Sequence, residues 1–221
     1  MSKKIEGRKT PSFFLVSKPF AGLTYCKKSD TLKGEVIGKM KLLITDTETG
    51  GLDPTKQDVL TLAFAVWEDN KILDKIEFKV SKEEYKTNEE AMKVNNINLE
   101  KLRKEGKKEK EIIKELISFI KKNFGKEKPM LCGHNVNFDK GFIKALFERN
   151  FFNYESSFGY RTLDTMSIMT FLFLQGKTET RLGRLDDAII YFNLEIPEKE
   201  RHTALGDVLV TIKILEKMLV L

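Results

Sequence analysis

Lys41-Leu42-Leu43-Ile44-Thr45-Asp46-Thr47-Glu48-Thr49-Gly50-Gly51-Leu52-Asp53 is the stretch on which the reading of this chain turns. Leu42, Leu43 and Ile44 form the short apolar run of a buried strand. Two carboxylates, Asp46 and Glu48, follow on alternate positions, and a strand aims alternate side chains at one side. Carboxylates that share a spot repel each other unless a proton or a cation lies between them. Gly50-Gly51 then ends the strand and admits another backbone at close range. Taken alone, the stretch fits a solvated strand end before a turn as well as it fits a metal site. Residues further along the chain separate the two.

The chain has 221 residues, 41% of them hydrophobic, with 16 Phe, enough for one domain with a sizeable core. Cys26 and Cys132 lie far apart with no paired spacing, which argues against a disulfide framework or a zinc knuckle. Neither a membrane-length apolar run nor a signal-peptide pattern is present, so the expectation is a soluble cytoplasmic protein with no membrane partner. The net charge of +6 is uneven: residues 1–39 hold nine Lys and Arg against Glu6, Asp30 and Glu35, and the other charges cancel. The basic balance therefore describes this N-terminal extension and not the domain over 40–221. The extension reads as flexible or loosely docked, or as a basic arm on a nucleic-acid backbone.

Downstream, Asp58–Glu68 and Lys71–Val80 read as antiparallel strands joined at Glu68-Asp69-Asn70. Ile112, Ile113, Leu116, Ile117 and Ile120 recur at helical spacing, which predicts an amphipathic helix over Lys108–Phe124. One or two short helices precede it within Glu89–Arg103. Met130–Cys132 reads as a buried strand, Asn137 as the cap of the next helix, and Tyr160–Leu163 as a further short strand. Helices follow at about Asp164–Leu174, Leu185–Phe192 and Thr203–Leu219. This order predicts one α/β domain with a mixed central sheet flanked by helices.

Two later segments supply partners for Asp46 and Glu48. Gly133-His134-Asn135-Val136-Asn137-Phe138-Asp139 puts Asp139 in the first turn of a helix that starts where a strand stops. His202-Thr203-Ala204-Leu205-Gly206-Asp207 puts His202 on a loop, Thr203 at a helix cap and Asp207 on the inward face. An acid flanked by Leu205, Val208, Leu209 and Ile212 is costly to bury unless a cation pairs with it.

Together, Asp46-Thr47-Glu48, the Gly133–Asp139 segment and His202 with Asp207 resemble the three motifs of the DEDDh 3′–5′ exonucleases. That family includes the proofreading (epsilon) subunit of bacterial DNA polymerase III and RNase T, on a ribonuclease-H-like fold. The resemblance covers about residues 41–220 and extends to Arg161–Thr165 and Leu182–Leu194. Tyr-type relatives place a Tyr four residues before the last Asp; here Thr203 stands there, and His202 marks the His type.

The resemblance implies a metal-dependent exonuclease acting on the 3′ end of single-stranded or frayed DNA. Its products would be nucleoside 5′-monophosphates, and proofreading is one setting for it. Asp46, Glu48, Asp139 and Asp207 would hold two Mg²⁺ or Mn²⁺ ions, and neutral His202 would act as general base. The backbone near Thr47 and the side chain of Leu52 would meet the terminal nucleotide, with His134, Asn135 and Phe138 lining the same pocket. Plain core packing is the competing reading for Leu52 and Phe138, and a hydrogen-bonded structural role for His134. The implied partner is nucleic acid with a free 3′ end, DNA favoured over RNA, and a DNA polymerase is a candidate. Epsilon subunits carry a further C-terminal tail that docks the polymerase; with the last expected helix reaching Leu219, the expectation is that a stand-alone exonuclease or a phage-type proofreading partner fits at least as well. An RNA exonuclease shares every catalytic residue; a silent nucleic-acid-binding module would more often have lost one; an endonuclease on this fold would not need His202.

Overall fold

Alternation along the first strand sorts its side chains into two cores. The computed structural model describes residues 40–95, 97–197 and 201–221, and the extension expected over 1–39 lies outside them. Strand β1 (Leu42–Thr49) pairs antiparallel with β2 (Val59–Glu68), which pairs antiparallel with β3 (Lys71–Lys79). Asp69 and Asn70, both at positive φ, make the two-residue turn between β2 and β3. Two short strands, β4 (Met130–Gly133) and β5 (Thr162–Asp164), run parallel to β1 and complete the order β3-β2-β1-β4-β5.

Leu43, Leu62, Phe64, Val66 and Leu131 point to one side of this sheet. There they meet α3 (Glu109–Phe124) and α4 (Val136–Arg149) through Ile112, Ile113, Leu116, Phe142 and Ile143. Leu42, Ile44, Ala63, Ala65 and Cys132 point to the other side, under α5 (Thr165–Leu174), α6 (Leu185–Tyr191) and α7 (Ala204–Met218). Ala63 and Ala65 keep β2 low on that side, and α7 lies across β1 and β2. Burying each large aliphatic or aromatic side chain contributes about 1.5–3 kcal/mol, so both layers are needed to offset chain entropy. Two short helices, α1 (Glu89–Asn95) and α2 (Leu99–Glu105), lie between β3 and α3 in sequence.

The sheet also makes a notch. The pairing of β1 with β4 covers only Leu42 to Ile44, while β1 continues to Thr49 beside β2. The two acids expected at a strand end are thus inside a paired strand that has lost one neighbour. Helix α4 starts in that gap. A Cβ on Gly133 would stand 2.9 Å from the Thr45 carbonyl oxygen and 3.2 Å from Val136, so only glycine lets the turn close. The cap of α4 is Asn135 in the left-handed region, not Asn137, and its side chain makes no capping bond. Val136-Asn137 are already helical, because Asp164 draws the Asn135 N–H to itself at 2.8 Å and fixes where the helix begins. The strand expected from Tyr160 is shorter, starting at Thr162, and leaves Tyr160 in the preceding loop.

Candidate active site

Leu42 and Ile44 face the α7 core, so the period of two carries Asp46 and Glu48 to that side, just beyond its apolar end. Helix α7 brings Asp207 to the same place. Thr203 caps α7 by accepting the Gly206 N–H at 3.1 Å, which fixes the first turn and with it Asp207. The ligating oxygens of Asp46, Glu48 and Asp207 lie within 4.8 Å of one another. Asp139 arrives from the opposite layer. It is buried in the first turn of α4, and the Thr47 hydroxyl donates to its Oδ1 at 2.7 Å. Asp139 is not among the three acids whose oxygens meet, but its charge is one of the causes that raise Asp46.

The electrostatics follow from crowding acids away from water. Burial holds the Asp46 carboxyl well above the usual carboxylate range, and Asp139, Asp207 and Glu48 push it further. Burial and Asp207 raise Glu48 to about 7. Asp139 reaches about 7 through burial, against the Thr47 hydrogen bonds that lower it. Burial also raises Asp207, opposed by Arg201 and His202. Such a cluster is short of positive charge, and hard oxygen donors of this kind suit a divalent ion such as Mg²⁺ or Mn²⁺. Its residues therefore fit the metal that the motifs imply.

One cation is built in. Arg201, largely buried, donates from its guanidinium to Asp207 Oδ1 and to Asp186 Oδ1. It lowers the pKa values of Asp46, Glu48 and Asp207 alike. Reading the sequence anticipates that Asp207 needs a cation but not that Arg201 supplies it; the signal is an arginine next to the motif histidine. Asp186, inside the Leu182–Leu194 segment, is missed with it.

His202 is exposed, at φ 56°, and its backbone N–H bonds the Asp207 carboxylate. It stands with Glu48 on the wall of one cleft of about 330 Å³. A second cleft of about 340 Å³ also has Glu48 in its wall, with Thr47, Leu52, Asn88, Phe138 and, from α1, Val94 and Asn95. Leu52 leaves 80% of its surface in water, so core packing does not explain it. Phe138 is half-buried, its ring 5.0 Å from that of Phe142. Asn95 ties α1 to β1 by donating to the Thr49 carbonyl at 2.9 Å, while its buried Oδ1 has no protein partner. The sequence gives no hint of Asn95, since α1 reads there as a charged surface helix.

Two expected pocket residues go elsewhere. His134 sits between the Thr165 hydroxyl at 3.2 Å and the Gly183 carbonyl at 3.4 Å, bracing α5 and the approach to α6. Asn135 is exposed and gives its backbone N–H to Asp164. Neither faces the two clefts beside Glu48.

Comparison with known proteins agrees with this arrangement. The family model RNase_T, described as Exonuclease, matches residues 43–215. Among solved structures, Escherichia coli exonuclease I in complex with a dT13 oligonucleotide is 20% identical, with a TM-score of 0.69 over 82% of this chain and 41% of that one. The zinc-bound complex of the same enzyme with single-stranded DNA is 18% identical, with a TM-score of 0.66 over 80% and 40%. A moderately thermophilic exonuclease I from Methylocaldum szegediense is 18% identical, with a TM-score of 0.67 over 79% and 39%. The chain thus spans about two fifths of the length of these structures, and the likeness shows a shared ribonuclease-H-like fold. No curated protein matches the sequence.

Proposed function

The chain belongs to the exonuclease family whose model spans residues 43–215, and from that premise we propose that it is a two-metal 3′–5′ exonuclease. Its substrate is a single-stranded or frayed DNA 3′ end, and its products are nucleoside 5′-monophosphates. The observation that carries the reading is the meeting of Asp46, Glu48 and Asp207 within 4.8 Å, from strand and helix, with Asp139 bonded to Thr47 of the same strand and His202 beside Glu48.

Asp46, Glu48, Asp139 and Asp207 would hold two Mg²⁺ or Mn²⁺ ions. When bound, such ions offset the charge of the phosphodiester and favour ionisation of the attacking water. The rest falls to side chains of this chain. His202, exposed and next to the cluster, accepts the proton of that water. Its left-handed backbone aims the N–H at Asp207, so the loop that carries the base is tied to a ligand. Leu52 and Phe138 flank the terminal nucleotide in the cleft beside Thr47 and hold it in line for attack. Thr47 holds Asp139 in place by its hydroxyl.

DNA is the substrate we favour; proofreading beside a DNA polymerase is one setting for this activity, and stand-alone end trimming is another. The test uses matched DNA and RNA oligomers labelled at the 5′ end, incubated with Mg²⁺ and then with chelator. A ladder shortening from the 3′ end on DNA, with mononucleotide product and no reaction in chelator, is the expected result. Faster shortening of RNA would reassign the sugar, and internal cuts or no cuts would overturn the reading.

A further inference from the structure

Away from the carboxylates, a cleft of about 510 Å³ has a different chemistry. Its wall carries Lys128, Lys140 and Lys144 against one acid, Glu155. Lys128 donates to the Glu155 carbonyl at 2.6 Å and Lys140 to the Tyr160 carbonyl at 3.1 Å. A carbonyl positions an ammonium group without cancelling its charge. Lys144 pairs with the Glu155 carboxylate at 2.9 Å.

Two tyrosines give the cleft more than charge. Tyr154 lines it, is buried, and has a hydroxyl with no hydrogen-bond partner in the protein. An O–H donor left unpaired under a rim of lysines suits an anionic oxygen. Tyr160 leaves 79% of its surface in water, with the Arg161 guanidinium 5.2 Å from its ring centre. The loop beneath that ring is held fast. Gly159 donates its N–H to the Pro129 carbonyl at 2.9 Å, and Phe158 stacks on Tyr154 with centroids 4.6 Å apart. An exposed ring on a fixed backbone loses little entropy when a base stacks on it.

Phosphate oxygens for the lysines and the unpaired hydroxyl, and a base face for the exposed ring, are the needs of a single strand of nucleic acid. We propose that this cleft grips the single-stranded part of the substrate, upstream of the nucleotide being released. Lys140, in the wall of this cleft, is the next residue after Asp139 in α4, so one helix contributes to both. The proposal rests on the exonuclease reading and adds where the strand is held.

The test compares fluorescent single-stranded oligomers of about 4 and about 20 nucleotides, lengths that bracket typical single-strand site sizes. Binding to the full chain is read by anisotropy in chelator, and cleavage in Mg²⁺. Tyr160→Ala is expected to weaken binding of the longer oligomer by roughly fivefold to a hundredfold, the range for one lost stacking contact. Tyr154→Phe removes only the donor and is expected to weaken the same oligomer severalfold. Lys140→Gln with Lys144→Gln should flatten the salt dependence by about 0.7 in log–log slope per lysine. Binding and cleavage of the short oligomer stay at the parent level in all three. Variants that bind the long oligomer like the parent at every salt concentration overturn the grip while leaving the exonuclease reading intact. A parent protein that shortens no 3′ end overturns both.

Discussion

His202 has an unusual backbone for its residue type, and this shapes how its role is tested. Left-handed φ costs a non-glycine residue about 1 kcal/mol or more, and Asn tolerates it better than Ala. Both His202→Asn and His202→Ala remove the proton acceptor, so both are expected to slow cleavage by ~10²–10⁴-fold. Only the alanine variant should also lose stability, by about 1 kcal/mol. Rates with end-labelled DNA and melting curves separate the two effects, and an asparagine variant of parental rate would remove the base assignment. The carboxylates give a second expectation at this scale. Glu48 and Asp139 hold their protons up to about 7 in the folded chain, above the values they have when exposed. As pH rises from about 4 to about 7, the unfolded state releases these protons first, so the metal-free protein loses stability across that window. Melting temperature in chelator should therefore fall from pH 5 to pH 8, and added Mg²⁺ should restore more of it at pH 8. A metal-free melting temperature that rises over this range would contradict the buried acid cluster. These acids were legible in the sequence because each sits in a short motif of recognisable residues. Arg201 and Asp186 were not, because an ion pair across 15 positions leaves no periodic trace.

Among the elements, those with strong periodicity match the reading from sequence to within a residue or two. The helix expected over Lys108–Phe124 is α3, Glu109–Phe124, because its apolar stripe has one face to bury. Short elements in crowded places were harder. The start of α4 is set by Asp164, some 29 positions away, and not by the nearest asparagine that could cap it. Likewise β5 is only three residues long, since parallel pairing with β4 lasts no further. Helix α4 carries Asp139 into the site while burying Phe142 fully in the core below. Phe142→Ala is thus expected to cost about 3–5 kcal/mol. In a domain of this size that lowers the melting temperature by about 6–20 °C. Calorimetry measures it, and a shift under about 2 °C would mean that α4 packs less tightly than its burial indicates.

At the scale of the whole molecule, the class of fold was legible because the order of strands and helices leaves few ways to cover both sides of a mixed sheet. The side of the sheet from which each acid comes was not, and it matters. Asp207 belongs to one layer and Asp139 to the other, so the site forms only where β4 stops short and the two layers meet. Among the described residues no helix is long and apolar enough to cross a membrane. Charge gives the prediction here. Residues 1–39 carry the whole net +6, so removing them leaves the domain close to neutral. Oligonucleotide binding by the shortened protein should fall less steeply as salt is raised, because fewer counterions are released. An unchanged slope would show that these residues do not touch phosphate.

The guanidinium wedged between Asp207 and Asp186 has one more implication, for how such an enzyme can be kept. A nest of acids with no positive charge of its own would spring apart whenever ions were scarce. This one carries a single counterweight, so part of the repulsion is offset before any ion is bound. Under the proposed exonuclease reading, chelator should then silence cleavage while leaving the chain folded, and added Mg²⁺ should bring cleavage back directly.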